Sequence, residues 1–250
     1  MTAGSRASEL AVARCDGWGV VRDGVRVAAV VPGQLAAAAE LHEQLAAIQF
    51  VARAGRRFLR RYYLAWSRTA AGMALAATDE AGELRGVLLG AIDPAAHYQE
   101  MLRRDGVALA ARLIARGATS PRFGRELIAT RLRRYARGIA RTVIARRRRA
   151  VAAAPATGRA GAIGEIAVLL VDAHARGSGV GRALLGAATE RARRAGLSAL
   201  TLVTPPDLAA GGFYEHLGWR AGEAISSRSG ERFIVYRLWL ADATAQQPDR

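Results

Sequence analysis

Six residues late in the chain, Arg176-Gly177-Ser178-Gly179-Val180-Gly181, carry the spacing best suited to chemistry. Alternating glycines let the backbone bend until several N–H groups converge on one point, and a helix starting directly behind them adds the positive end of its dipole. Such a nest cradles an anion, and a pyrophosphate suits its charge and reach. The turn is not a P-loop, because no Gly-Lys-Ser/Thr follows it. A dinucleotide fingerprint would need Gly-x-Gly-x-x-Gly within a repeating parallel β-α-β pattern, which the flanks do not supply. A loop chosen only for flexibility is the plainer reading that these six residues leave open. Other reactive side chains are sparse. Cys15 is the lone cysteine, which excludes an internal disulfide and fits a reducing cytoplasm. The histidines at 42, 97, 174 and 216 include no pair at metal-ligand spacing, so no metal is expected.

The elements that must hold this turn can be read from hydrophobic patterning. Ile163 to Val171 (IGEIAVLLV) reads as a strand entering it, and an alanine-leucine helix leaves it, running to about Ala195 and closed by Gly196. Ser198 to Val203 reads as a strand and Asp207 to Leu217 as a helix with Asp207 as its N-cap. Strands near Trp219 to Ile225 and Arg232 to Leu240 follow. Earlier, Val25 to Val31 is a β-branched run stopped by Pro32 and Gly33. A helix from Leu35 to about Phe50 carries Leu41, Leu45 and Ile48, and a second, Arg57 to Trp66, presents Phe58, Leu59, Tyr62, Tyr63 and Trp66. Met73 to Thr78 and Leu84 to Ile92 flank the turn DEAGE as a hairpin. The order β-α-α-β-β, insertion, β-α-β-α-β-β predicts an α/β fold, a mixed sheet with helices on both faces. Residues 1–24 are expected to be a poorly ordered leader, 25–240 a single domain interrupted at 94–160, and 241–250 a tail.

With the turn set between its strand and helix, LLVDAHARGSGVGRALL resembles the coenzyme-binding motif of the GNAT superfamily, Gln/Arg-x-x-Gly-x-Gly/Ala. Some thirty residues later, Phe213-Tyr214-Glu215-His216-Leu217-Gly218-Trp219 resembles that family's second signature, F/L-Y-x-x-x-G-F. The resemblance covers residues 163–240 firmly and 25–92 more loosely, and the chain is similar to bacterial members with a basic helical insert before the fourth strand. It implies the GNAT acyl-CoA N-acyltransferase fold and an N-acetyltransferase. Acetyl would pass from the co-substrate acetyl-CoA to a primary amine, either a small molecule or a protein N-terminus.

The resemblance also implies roles. Backbone groups of Leu169, Leu170 and Val171 would hold the pantetheine arm and the thioester carbonyl. Arg176, Gly177, Ser178, Gly179, Val180, Gly181 and Arg182 would hold the pyrophosphate, Arg182 adding side-chain charge. Tyr214 would protonate the departing thiolate. Asp207, carried over to the cofactor side, stands where asparagine is usual, and Ala173 stands where many members have proline. Glu165, 11 residues before Arg176, matches the catalytic glutamate of the histone acetyltransferase branch and is the candidate base; a solvated strand carboxylate is its plainer reading. Enzymes that modify ribosomal protein termini often carry a glutamate on the next strand, where this chain has Leu202. His174 and His216 read as surface residues. The alternative function is a non-catalytic acetyl-CoA-binding or scaffold module acting through the basic insert.

The insert concentrates the charge. The chain has a net charge of +16, and all 37 basic residues are arginine. Residues 94–160 hold 16 of them against Glu100, Asp105 and Glu126, while the rest of the chain is nearly balanced. Val107 to Ala115 and Leu127 to Ile144 read as basic amphipathic helices, the second ending near Arg146 to Arg149. The insert's readings, in order, are a lid over the acceptor pocket, an arginine-rich solvated face, peripheral contact with an anionic membrane surface and electrostatic binding of nucleic acid. Nucleic acid comes last because the segment has few aromatics for stacking and no recognised module. No apolar run approaches the roughly 20 residues of a spanning helix, and the first residues lack the apolar centre of a secretory signal. A cytoplasmic protein is expected, with homo-oligomerisation left open.

Overall fold

The computed structural model describes residues 20–22, 24–45, 50–128, 162–206, 210–226 and 232–240. In chain order they form strands β1 (Val20–Arg22) and β2 (Val25–Ala29), then helices α1 (Leu35–Leu45), α2 (Phe50–Arg53) and α3 (Arg56–Ser67). Strands β3 (Gly72–Thr78) and β4 (Leu84–Ala91) precede helices α4 (Pro94–Thr119) and α5 (Pro121–Glu126). Strand β5 (Ile163–Val171), helix α6 (Val180–Arg194), strand β6 (Ala199–Thr204), helix α7 (Gly211–His216) and strands β7 (Arg220–Ser226) and β8 (Arg232–Trp239) complete the order. One sheet holds the strands as β1-β2-β3-β4-β5-β6-β8-β7. Its neighbours are antiparallel except β5 and β6, which α6 joins as a crossover. The expected mixed α/β sheet is present.

Each sheet face has its own core, because successive strand side chains point to opposite faces. On one face α6 packs Val180, Leu184, Ala188 and Ala192 over Val27, Leu75, Leu88 and Leu200. On the other, α1, α3 and α4 pack Leu41, Tyr63, Trp66 and Met101 over Ala74, Ala76, Val87 and Leu89. Burial on both sides is why β3 and β4 read as nearly unbroken apolar runs.

Two expectations are corrected. The leader expected over 1–24 includes a strand: Val20–Arg22 pairs antiparallel with β2, with Gly24 at φ 73° in the connecting turn. Residues 1–19 and the tail 241–250 lie outside the described residues. The helix expected over Val107–Ala115 is the middle of a much longer one. α4 starts at Pro94, where Asp93 accepts a hydrogen bond from the Ala96 N–H (2.9 Å) and proline occupies the first turn. Its buried stripe is His97, Met101, Asp105 and Leu109, one residue every four. The second expected helix, Leu127–Ile144, lies outside the described residues from 129 onward.

An ion pair ties α4 to α3. Asp105, 1% exposed, meets Arg61 Nη2 at 2.5 Å, with Arg68 Nη1 farther off at 3.8 Å. Removing one partner of a buried pair leaves an uncompensated charge. Arg61→Ala is therefore expected to destabilise the chain by about 3 kcal/mol, the low end of that range because Arg68 can move closer. Denaturant unfolding checks it, and an unchanged midpoint would refute the pairing.

Candidate active site

The site is built around an irregularity in β5. Leu89 on β4 registers with Val168, but Gly90 registers with Ile166, so Ala167 is an extra residue on β5. A bulge of this kind bends its strand and resets side-chain alternation. The reset is visible in the packing: Ile166 joins the core under α6 while Val168, two residues on, joins the core under α1, α3 and α4. Beyond the bulge Leu169, Leu170 and Val171 still pair with Leu88, Val87 and Gly86 of β4. The pairing with β6, however, ends at Ile166 opposite Leu202, and Val203 and Thr204 pair only with β8. The two parallel strands therefore splay, leaving a β5 edge whose outward N–H and C=O groups face an opening. A cleft of about 140 Å³ sits at the fork, lined by Glu165, Ile166, Ala167, Thr201, Leu202 and Val203. A larger cleft of about 380 Å³, between Arg53, Arg116 and Arg122, includes none of these residues.

Glu165 stands at the closed end of the fork. It is half-buried, registered between Ala91 on β4 and Thr201 on β6. Its Oε1 accepts a hydrogen bond from the hydroxyl of Tyr98, on the first turns of α4. Sequence reasoning did not identify Tyr98. The signal available was Asp93-Pro94, a capped helix start that places Tyr98 just inside α4.

At the other end of β5 the chain enters the glycine turn. The Asp172 N–H donates to the Arg85 carbonyl (2.8 Å), and the Asp172 carboxylate accepts from the His174 N–H (2.9 Å). The Ser178 hydroxyl donates to the Ala175 carbonyl (2.7 Å), so it helps shape the turn. Gly177 and Gly179 have φ of 79° and 85°, the left-handed region that L side chains avoid. No side chain caps α6 behind Gly179, so the first-turn N–H groups remain available to an anion. Arg176 and Arg182 are exposed at its rim.

The second motif touches the first. A Cβ placed on Gly181 would lie 3.1 Å from the Phe213 ring of α7, so glycine here admits the close approach of α7 to the turn. Next to Phe213, Tyr214 is 8% exposed, its ring 5.4 Å from Tyr236 and 6.2 Å from Trp219. Tyr236 registers opposite Leu202, where the strands part. Burial, with the nearby Tyr236, raises the Tyr214 phenol above its ordinary pKa, so it keeps its proton throughout the neutral range. Asp207 lies outside the described residues. His174 and His216 are exposed, and the latter's Nδ1 lies 2.6 Å from the Gly212 carbonyl oxygen. Among the described residues no cluster of three or more metal-ligating side chains occurs, and no helix is long and apolar enough to cross a membrane.

The model of the Acetyltransferase (GNAT) family matches residues 39–219. No curated protein matches the sequence. Among solved structures, a spermidine N-acetyltransferase SpeG chimera from Vibrio cholerae and hSSAT superposes with TM-score 0.54 at 11% identity, covering 87% of this chain and 96% of that one. The yncA protein of Salmonella typhimurium, solved with its cofactor acetyl-CoA, gives 0.51 at 12%, covering 90% and 99%. The ribosomal-protein-S18-alanine N-acetyltransferase of Escherichia coli gives 0.50 at 12%, with the same coverage. At such identities the structural likeness is one of fold.

Proposed function

Because the chain belongs to the acetyltransferase (GNAT) family, we propose that it moves acetyl from acetyl-CoA to a primary amine by direct attack, with Glu165 as base and Tyr214 as acid. The observation that carries this reading is the fork between β5 and β6, with an unpaired backbone edge, a carboxylate at its closed end and a phenol packed beside it. The residues present fit the co-substrate: an uncapped helix start behind two left-handed glycines suits a pyrophosphate, and the free β5 edge suits the amide-bearing arm. Acetyl-CoA supplies an activated thioester. Backbone groups of Leu169, Leu170 and Val171 bind the arm and carbonyl, while the turn from Arg176 to Arg182 binds the phosphates. Glu165 accepts the proton that the amine loses on forming the new C–N bond. Tyr214 gives its proton to the sulfur as the C–S bond breaks.

The acceptor class follows from the fork's chemistry: a carboxylate there suits an amine. Similar folds include a spermidine acetyltransferase and one acting on the alanine of ribosomal protein S18, so a small polyamine and a protein N-terminus are the first acceptors to assay. Glu165→Gln tests the base. Turnover at pH 7 is expected to fall roughly 10-fold, below the usual range for a general base because water at a half-open cleft can substitute in part. Affinity for acetyl-CoA, measured by calorimetry, should be unchanged. Equal turnover across roughly pH 6 to 9 would return Glu165 to a structural role.

A further inference from the structure

We infer that Tyr98, contributed by the helical insertion, is a positioning residue for acetyl transfer: its hydroxyl fixes the Glu165 carboxylate at the closed end of the β5–β6 fork. The inference rests on the reading of Glu165 as base and gives the insertion a part in the active site.

The geometry starts from the strand that feeds the insertion. β4 ends at Ala91, the residue registered opposite Glu165. The Ile92 N–H then donates to the Ala71 carbonyl (2.9 Å), and Asp93 caps α4. The first turns of α4 therefore stand over the position where Glu165 emerges from β5. Tyr98 is aimed by its neighbours. Its ring lies edge-on to Trp66 (5.9 Å) and to His97 (5.1 Å). His97 is itself fully buried, 4.0 Å from the Trp66 ring and hydrogen-bonded through Nδ1 to the Thr69 hydroxyl (2.6 Å). Burial pushes its imidazole down to about 4, so it is neutral at pH 7. The Asp105–Arg61 pair and the Arg104 guanidinium, which donates to the Arg68 carbonyl (2.8 Å), pin the next turns of α4 against α3.

A free glutamate samples several rotamers about three side-chain bonds, and only some of these face the fork. A charge-assisted O–H···O⁻ bond to a clamped phenol selects one of them. It occupies one lone pair of Oε1 and leaves Oε2 to accept a proton from the amine. Orientation of a reacting group is worth rate, since a misplacement of about 1 Å costs up to ~10²-fold. The role proposed for Tyr98 is thus exerted through Glu165 and not on the substrate.

The test uses the full chain and thiol release from acetyl-CoA, with spermidine, with a short alanine-terminated peptide and with water alone as acceptors. Tyr98→Phe keeps the ring contacts to Trp66 and His97 and removes only the donor. It should lower kcat about fivefold, less than loss of the carboxylate itself, with acetyl-CoA affinity unchanged. In the Glu165→Gln background the same substitution should cost nothing further, because there is no carboxylate left to orient. Replacing Tyr98 by p-aminophenylalanine restores a donor at full ring volume and should recover most of the rate, so the test survives if the phenylalanine variant folds poorly. A Tyr98→Phe loss of the same size in both backgrounds, or no loss in either, would overturn the inference. If Glu165→Gln costs nothing while Tyr98→Phe does, the reading of Glu165 as base fails, and the inference with it. If Glu165→Gln is costly and Tyr98→Phe is silent, the base stands and only the positioning role falls.

Discussion

Replacing Tyr214 with phenylalanine is expected to lower turnover by about 10²-fold, the low end for a general acid, in a protein that folds and binds acetyl-CoA normally. The fold should tolerate the change because the ring, and not the hydroxyl, makes the contacts to Phe213, Trp219 and Tyr236. The hydroxyl matters to the reaction because a thiolate must be expelled, and a proton delivered as the C–S bond breaks lowers the barrier for that step. Burial and Tyr236 hold the phenol above its ordinary pKa, so the proton is present throughout the neutral range. That same shift limits the gain, since a weaker acid gives up its proton less readily, and the thiolate is itself a fair leaving group. Both considerations place the effect near the bottom of the range. Steady-state rates of wild type and variant with the same amine, alongside melts in acetyl-CoA, check it. Equal rates in equally stable proteins would remove Tyr214 from the mechanism.

Gly179→Glu has the larger expected effect: acetyl-CoA binding should be lost. Gly179 sits at φ 85° as the N-cap of α6. That left-handed backbone conformation resists a side chain at a cost of order 1–2 kcal/mol. The glutamate would also bring a negative charge to the anion site. The first cost acts on local folding and the second on binding, and they can be separated. A melt without ligand reports the strain, and calorimetry with acetyl-CoA reports the charge. A folded variant that binds with undiminished affinity would remove the turn from the phosphate site.

What was legible in the sequence was legible for physical reasons. The glycine turn and the Phe213-Tyr214 signature are local: a strand, a bend and a helix start are written in adjacent residues, and the two-sided burial of β3 and β4 leaves unbroken apolar runs. The β1–β2 hairpin was missed, although Asp23-Gly24 between Val20–Arg22 and Val25–Ala29 is a hairpin turn signal; the absence of any longer period in the first residues hid it. α4 was misjudged because half of its buried stripe is polar. His97 and Asp105 interrupt the apolar period of Met101 and Leu109, and their partners, Thr69 just beyond α3 and Arg61 within it, lie far off in the chain. The Tyr98–Glu165 contact joins residues 67 apart. Periodicity cannot reveal such a pair. The bulge at Ala167 was equally hidden, because nothing in IGEIAVLLV distinguishes it from a regular strand.

The most direct test of the whole account incubates the chain with acetyl-CoA and with spermidine or an alanine-terminated peptide, then quantifies free thiol and acetylated amine by mass spectrometry. Acetyl transfer at the β5–β6 fork predicts equal amounts of the two products from the wild type and about 10²-fold slower formation of both from Tyr214→Phe. Tight binding of acetyl-CoA with neither product, from these acceptors and from a wider panel of primary amines, would contradict it and leave a cofactor-binding module in place of an enzyme.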